Sequence, residues 1–401
     1  MDFPEEKKKD LRIALLTAGK DPHYALGLLS ALAYEDLHID FIGNDMMEDA
    51  CFTKRPDVSY FNLRGDQRGD APFGEKVFRI LRYYGRLLAY AFQSDARIFH
   101  ILWLNKFHFF DKTVVNIYYK LLRKKLVYTA HNVNAGERDN TDGFLNRISL
   151  RFMYSVVDHI FVHTDRMKQK IVTDYKIDTG KISVIPFGVN NMIPNSDMTK
   201  GAARDRLGLK DNEKVMLFFG NIAPYKGLEY LVSAMAALKG RIDGLRLIIA
   251  GRVKDHHCQD YWGRIQQSID SNGLRRTVLL HIRYVPDKDV EVFLKAADVL
   301  VLPYKHIFQS GVLFLAYNFG LPVIAADVGS IRDSITDGET GFVFRAEDPA
   351  DLADKIYRFF RSDLYGSSEE SAQKIMKYVN DNNSWSTVSK TTYGIYQSLN
   401  K

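Results

Sequence analysis

Cysteine is nearly absent. Only Cys51 and Cys258 occur in 401 residues. They are far apart and fit no metal-ligand spacing, which excludes a disulfide framework and a thiolate metal knuckle. The expectation is reduced thiols in a cytoplasmic protein. Long hydrophobic runs are missing as well: no window approaches the roughly 18 uninterrupted apolar residues of a membrane span. The opening MDFPEEKKKDLRIALL is charged and then becomes a short strand, without the apolar centre of a signal peptide. Charge of one sign is scarce too. Lys and Arg number 55 against 49 Asp and Glu, a net charge of +6. That is weak for nucleic acid but suits an anionic small ligand or an anionic membrane surface. Neither the GxxxxGK[ST] nor the GxGxxG phosphate loop is present.

Apolar residues make up 46% and charged residues 26%, as in an ordinary folded protein. The length exceeds one comfortable core, so two domains of about 200 residues each are expected. Both halves alternate short β-rich runs with helix-length amphipathic segments, the pattern of parallel βαβ units. In the first half the runs are 12–19, 38–43, 97–103, 125–131, 159–164 and 181–186; in the second, 214–220, 245–251, 277–282, 298–303, 322–327 and 340–344. The second set is almost continuously apolar, as strands covered on both faces are. The Pro-, Gly- and Asn-rich stretch PFGVNNMIPN (186–195) marks the break. The expectation is an α/β chain of two Rossmann-like doubly wound domains facing a cleft. They would span 1–188 and 189–380, with a C-terminal helix in 381–401 crossing back to the first.

In open α/β sheets ligands bind beyond the carboxyl ends of the strands. Two such turns stand out in the second half. In FFGNIAPYKGLEYLVSAMAAL (218–238) a strand ends at Gly220 and Lys226 stands at a helix entrance. A helix start offers unpaired N–H groups and partial positive charge, and a lysine adds a full one. Lys226 is expected to be solvated when no ligand is bound. In ADVLVLPYKHIFQSGVLFLAYNFG (297–320) a second helix starts near Ser310, offering the N–H groups of Ser310, Gly311 and Val312. Two anion sites on one sheet point to a diphosphate. The stretch from Gln309 to Ala325 contains no acidic residue.

These segments, with LIIAGRV, PVIAADVGSIRDSITDGETGFVF and ISVIPFGVN, resemble the retaining GT-B glycosyltransferases of family 4, densely over 180–345 and more weakly around VYTAHNV. The resemblance implies a nucleotide-sugar donor, UDP- or GDP-linked, held by the C-terminal domain and an acceptor held by the N-terminal domain. It implies no metal and no further cofactor. The family's phosphate-binding lysine matches Lys226; its companion arginine falls at Asn221, with Arg252 after the next strand as a substitute. The paired glutamates fall at Ile307 and Leu315, both apolar. Gln309 is the nearest polar candidate for a sugar or phosphate contact, and Asp333 matches an acidic position. The donor set is therefore Gly220, Asn221, Lys226, Arg252, Gln309, Ser310, Gly311 and Val312. In the first half His131 matches a histidine that faces the donor sugar. Further along that loop, Glu137 is a candidate base for an inverting reaction and Arg138 a contact for an anionic acceptor. Gly19, Lys20 and Asp21 form another strand-end loop on the acceptor side, with Asp21 an alternative base.

The expected activity is hexose transfer to a saccharide or lipid-linked acceptor, in polysaccharide or glycoconjugate synthesis. A catalytically weak or inactive GT-B binding protein, or an inverting transferase, are the alternatives. EKVFRILRYYGRLLAYAF (75–92) adds an apolar stripe of Val77, Ile80, Leu81, Tyr84, Leu87 and Leu88 beside a basic one of Lys76, Arg79, Arg82 and Arg86. Either it packs on the core, or it lies on an anionic membrane at the inner face. Gly85 weakens it as a helix.

Overall fold

The computed structural model describes residues 11–48, 54–68, 71–138, 142–189 and 192–401, with the Arg138 side chain outside the description. Cys51 also lies outside the described residues; Cys258 is a buried free thiol. The chain divides into two compact units, Met1–Gly188 with Ser384–Lys401, and Val189–Asn383.

Unit 1 is built on a seven-stranded parallel sheet of β1 (Arg12–Leu16), β2 (His38–Gly43), β3 (Val58–Asn62), β4 (Ile98–Ile101), β5 (Lys125–Thr129), β6 (His159–Val162) and β7 (Ile182–Val184). The strand order is β3-β2-β1-β4-β5-β6-β7. Strand β3, VSYFN, is absent from the runs read in the sequence. It is an edge strand whose residues beyond Val58 are half-exposed, so it lacks the continuous apolar signature. Unit 2 carries a six-stranded parallel sheet of β8 (Lys214–Phe219), β9 (Leu245–Ala250), β10 (Val278–His281), β11 (Val299–Leu302), β12 (Val323–Ala326) and β13 (Gly341–Phe344). Its order is β10-β9-β8-β11-β12-β13. The strand order reverses between β1 and β4 in the first sheet and between β8 and β11 in the second. Those are the points where splayed loops leave room for a ligand.

Buried carboxylates anchor helices to both sheets. Arg12 Nη2 donates to Asp40 at 2.8 Å, and the Tyr90 hydroxyl donates to the other Asp40 oxygen at 2.6 Å, tying helix Phe73–Gln93 to β1 and β2. That helix runs unbroken through Gly85. It buries Tyr83, Tyr84, Leu87, Tyr90 and Ala91, while Val77 and Leu81 of the expected apolar stripe are exposed. In unit 2, Asp298 accepts from Arg204 at 3.0 Å and from the Val215 amide at 2.7 Å, fixing helix Lys200–Leu207 to the start of the sheet. The last helix, Trp385–Leu399, belongs to unit 1: its Tyr396 hydroxyl lies 2.5 Å from His100 Nδ1, and Ser389 donates to Glu35 at 3.1 Å.

Candidate functional site

In unit 2 the loops after β8 and β11 meet. Beyond Phe219, Gly220 takes a φ of +110° and the chain makes one 3-10 turn, Pro224–Lys226. Gly227, at φ +63°, then starts helix Leu228–Leu238. A β-carbon at Gly227 would lie 1.9 Å from the Pro303 carbonyl oxygen, so only glycine lets the two loops touch. The Lys305 amide donates to Tyr225 O at 2.9 Å across the same seam.

This turn folds Lys226 under Tyr304. The lysine is 7% exposed, so the expectation of a solvated side chain is corrected. Its Nζ donates to the Tyr304 hydroxyl at 2.8 Å and stands 4.0 Å from the ring centroid. The phenol lies 3.3 Å from Ser310 Oγ, and burial raises its pKa well above the usual tyrosine value, so it stays neutral. One chain of contacts thus joins the lysine to the start of helix Gly311–Asn318. There the Gly311 and Val312 amides occupy first-turn positions that no intrahelical carbonyl can satisfy. The Ser310 amide is used differently, donating to Gln309 Oε1 at 3.2 Å. Gln309 is thus engaged with the backbone of the residue that precedes its helix.

Asn221 and Arg252 are neighbours because β8 and β9 stay paired past their ends, through Gly220 N to Ala250 O at 2.9 Å and Ile222 N to Arg252 O at 2.8 Å. Arg252 Nε lies 3.4 Å from Asn221 Oδ1, and both residues are exposed. Leu315 is buried in helix Gly311–Asn318, Ile307 sits in the loop before it, and Asp333 is exposed in the turn Arg332–Ser334.

In unit 1 a cavity of about 330 Å³ opens at the ends of β4 and β5, lined by Lys20, Trp103, His108, Lys112, His131 and Asn134 among others. His131 is held between rings: Trp103 stacks on it at 4.4 Å with planes 8° apart, and Tyr24 meets it edge-on at 4.5 Å. His163 Nε2 lies 3.0 Å from His131 Nδ1. Burial, then the neighbouring His163 and His100, holds the His131 pKa well below the usual histidine value. Lys20 Nζ donates to Leu104 O at 2.8 Å, and Lys112 Nζ donates to Asn146 Oδ1 at 2.5 Å; burial lowers both ammonium pKa values.

The other first-half candidates are otherwise engaged. Asp21, at φ +40°, caps helix Pro22–Leu32 by accepting from the Tyr24 amide at 3.2 Å. The Gly19 carbonyl accepts from Asn44 Nδ2 at 3.3 Å and Gln67 Nε2 at 3.2 Å. Glu137, in the short helix Ala135–Arg138, pairs with Lys170 at 3.4 Å. Tyr304, Trp103 and His163 were not singled out from the sequence. Their signal was position alone: each follows a strand that borders a site loop. Among the described residues no group of three or more His, Cys, Asp or Glu could hold a metal ion.

Two family models divide the chain between them. Residues 199–382 match "Glycosyl transferases group 1" and residues 24–191 match "Glycosyltransferase Family 4". Among curated proteins, the D-inositol 3-phosphate glycosyltransferase of Nocardia farcinica is 30% identical over 249 residues, covering 58% of this chain and 53% of the relative. That of Corynebacterium glutamicum is 28% identical, covering 59% and 58%. The matched region thus spans little more than half the length of these relatives. Solved structures share the fold across nearly the whole chain. Sucrose-phosphate synthase from Thermosynechococcus elongatus gives a TM-score of 0.76 at 20% identity, covering 97% of this chain and 99% of that one. Anabaena HepE in complex with UDP and glucose gives 0.74 at 18% identity, covering 97% and 100%. Two parallel-sheet α/β units of this kind are typical of GT-B glycosyltransferases.

Proposed function

We propose that this chain, which belongs to the GT-B glycosyltransferases of the group 1 and family 4 type, transfers a hexose from a UDP- or GDP-sugar to a saccharide or lipid-linked acceptor. The observation that carries the reading is the contact chain Lys226–Tyr304–Ser310, which gathers one cation and one helix start at the switch point of a parallel sheet. A diphosphate fits such a place. In a retaining transfer the acceptor oxygen bonds to the anomeric carbon as the bond to the diphosphate oxygen breaks. The acceptor's proton passes to that leaving oxygen. Lys226 and the Gly311 and Val312 amides stabilise the charge that develops there, with Arg252 adding to it from Asn221's side. Protein groups do this neutralisation in place of a metal. In unit 1, Lys20 and Lys112 supply positive charge for an acceptor that carries phosphate, as the curated relatives' names imply for theirs.

A thermal-shift panel of UDP, GDP, their nucleosides and their hexose conjugates tests the donor reading. A true ligand at 100 times its dissociation constant adds about 2.7 kcal/mol. No shift with any nucleoside diphosphate would sink it. A second reading, donor binding with little turnover, is favoured by apolar Ile307 and by Leu315, buried where the family resemblance places a glutamate. Donor hydrolysis with anomer-resolved NMR separates it from the transferase. An inverting enzyme would use as base Asp21, which caps a helix through Oδ1, or Glu137, which pairs with Lys170 through Oε2.

The lipid-linked option implies peripheral contact with an anionic membrane. No described helix is long and apolar enough to span one. The outer face of helix Phe73–Gln93 exposes Phe73, Phe78 and Leu81, with Arg82 and Arg86 alongside; its single acid, Glu75, is paired with Arg79. Apolar contact plus basic flanks suits such a surface. The protein should float with phosphatidylglycerol vesicles and release with added salt. Equal binding to phosphatidylcholine vesicles would remove the electrostatic part.

A further inference from the structure

The ends of β5, β6 and β7 place three groups in line. His163 Nδ1 lies 3.3 Å from the Ile185 carbonyl oxygen, and His163 Nε2 lies 3.0 Å from His131 Nδ1. A carbonyl oxygen only accepts, so His163 carries its proton on Nδ1. Burial keeps His163 neutral, with its pKa lowered to about 4, so its Nε2 is bare and must accept. The proton between the two rings therefore sits on His131 Nδ1. His131 is neutral as well, which leaves its Nε2 unprotonated. That nitrogen is buried and has no hydrogen-bond partner among the described residues. His131 lines the unit 1 cavity together with Lys20 and Lys112, and no carboxylate is among the described lining residues, so nothing there would favour a second proton on the ring.

We propose that His163 is a positioning residue that locks His131 in the Nδ1–H tautomer, so that His131 Nε2 presents a lone pair to a hydroxyl donor in the unit 1 cavity. The ligand class follows from the chemistry. A polyhydroxy compound can donate to a bare nitrogen, whereas a phosphate oxygen or carboxylate would meet it lone pair to lone pair. The Trp103 and Tyr24 rings clamp the imidazole plane, so tautomer is the remaining freedom, and the Ile185–His163 relay removes it. The inference rests on the transferase reading only for which hydroxyl is met. The tautomer itself is a property of the free protein.

The test has two arms on the same full-length preparations. Long-range proton–nitrogen NMR of histidine-labelled protein, assigned with His131→Gln, reads the tautomer directly. The expected result is a protonated Nδ1 and an unprotonated Nε2 on His131. His163→Phe should scramble that pattern, and His163→Gln, whose amide oxygen can accept, should restore it. An Nε2–H His131 in the wild type, or an unchanged tautomer in His163→Phe, overturns the proposal. In the second arm, donor hydrolysis by His163→Phe should fall about 10- to 100-fold in kcat, the scale seen when a metal-bound histidine loses its orienting partner. UDP affinity should stay within about twofold, since the nucleotide site lies in the other unit. Unchanged kcat beside a scrambled tautomer also overturns the positioning role. If no hydrolysis is detectable in any variant, the transferase reading fails and the NMR arm still decides the tautomer.

Discussion

The two sheets place different chemistries beyond their strand ends. At the switch point of unit 2 stand a buried ammonium, a neutral phenol and the open end of a helix, with Arg252 nearby. Beyond β5, next to the switch point of unit 1, stands a clamped, neutral imidazole among aromatic rings. On the proposed function the first arrangement reads a diphosphate, and in the second the imidazole meets hydroxyl groups while Lys20 and Lys112 supply positive charge. One fold can therefore serve two halves of a group transfer because strand order sets where a site lies, and the residues after each strand set what it reads.

The largest expected effect breaks this comparison by pH. Burial lowers the pKa of His163 and His159 to about 4 and of His100 to about 3, and lowers His131 as well, all in unit 1. Unit 2 has one lowered histidine, the half-buried His281. A histidine whose folded pKa lies below its unfolded value, near 6.5, contributes no penalty above that pH. As pH falls below about 6.5 the unfolded chain takes up the proton first. Stability is then lost progressively until the folded pKa is reached. His163 alone accounts for up to roughly 3 kcal/mol at pH 4. Hydrogen exchange at pH 7 and pH 4.5, corrected for intrinsic rates, should show β4 to β6 losing more protection than β8 to β12. Equal losses would contradict the account.

Next comes His131→Ala. It should lower donor-hydrolysis turnover by about 10- to 100-fold, the loss of one well-placed hydrogen bond to the reacting sugar, with UDP affinity nearly unchanged. Normal turnover would remove His131 from the site. The smallest effects sharpen the charge reading in unit 2. Arg252→Ala should weaken UDP binding by no more than about fivefold, because the side chain is exposed, and Asn221→Arg should tighten it by a similar factor. Tightening is the more telling result, since it tests whether position 221 faces the diphosphate.

Much of this was legible in the sequence, and the exceptions share a cause. All six strands of unit 2 could be read because their runs are largely apolar, even in β10 at an edge of the sheet. Strand β3 was missed because an edge strand need not be apolar on both sides. Gly220, Lys226 and the Ser310–Val312 turn could be placed because strand ends and helix starts are local features. The burial of Lys226 was not legible, since it depends on Tyr304, 78 positions later, folding over it. The His131–His163 pair was hidden in the same way: it exists only because β5 and β6 are neighbours. Local grammar locates loops, whereas contacts between loops decide protonation and exposure.

The central claim is that unit 2 reads phosphate through Lys226. Titration calorimetry of UDP and uridine, or GDP and guanosine if those bind, tests it on wild type and Lys226→Met, which keeps the buried stem against Tyr304. Charge-assisted hydrogen bonds are worth roughly 1.5–3 kcal/mol, so the diphosphate should bind about 10- to 150-fold more weakly to the variant. The nucleoside should bind both proteins alike. An equal loss for both ligands would make the lysine a support for its loop, and no loss for either would contradict the assignment of the site.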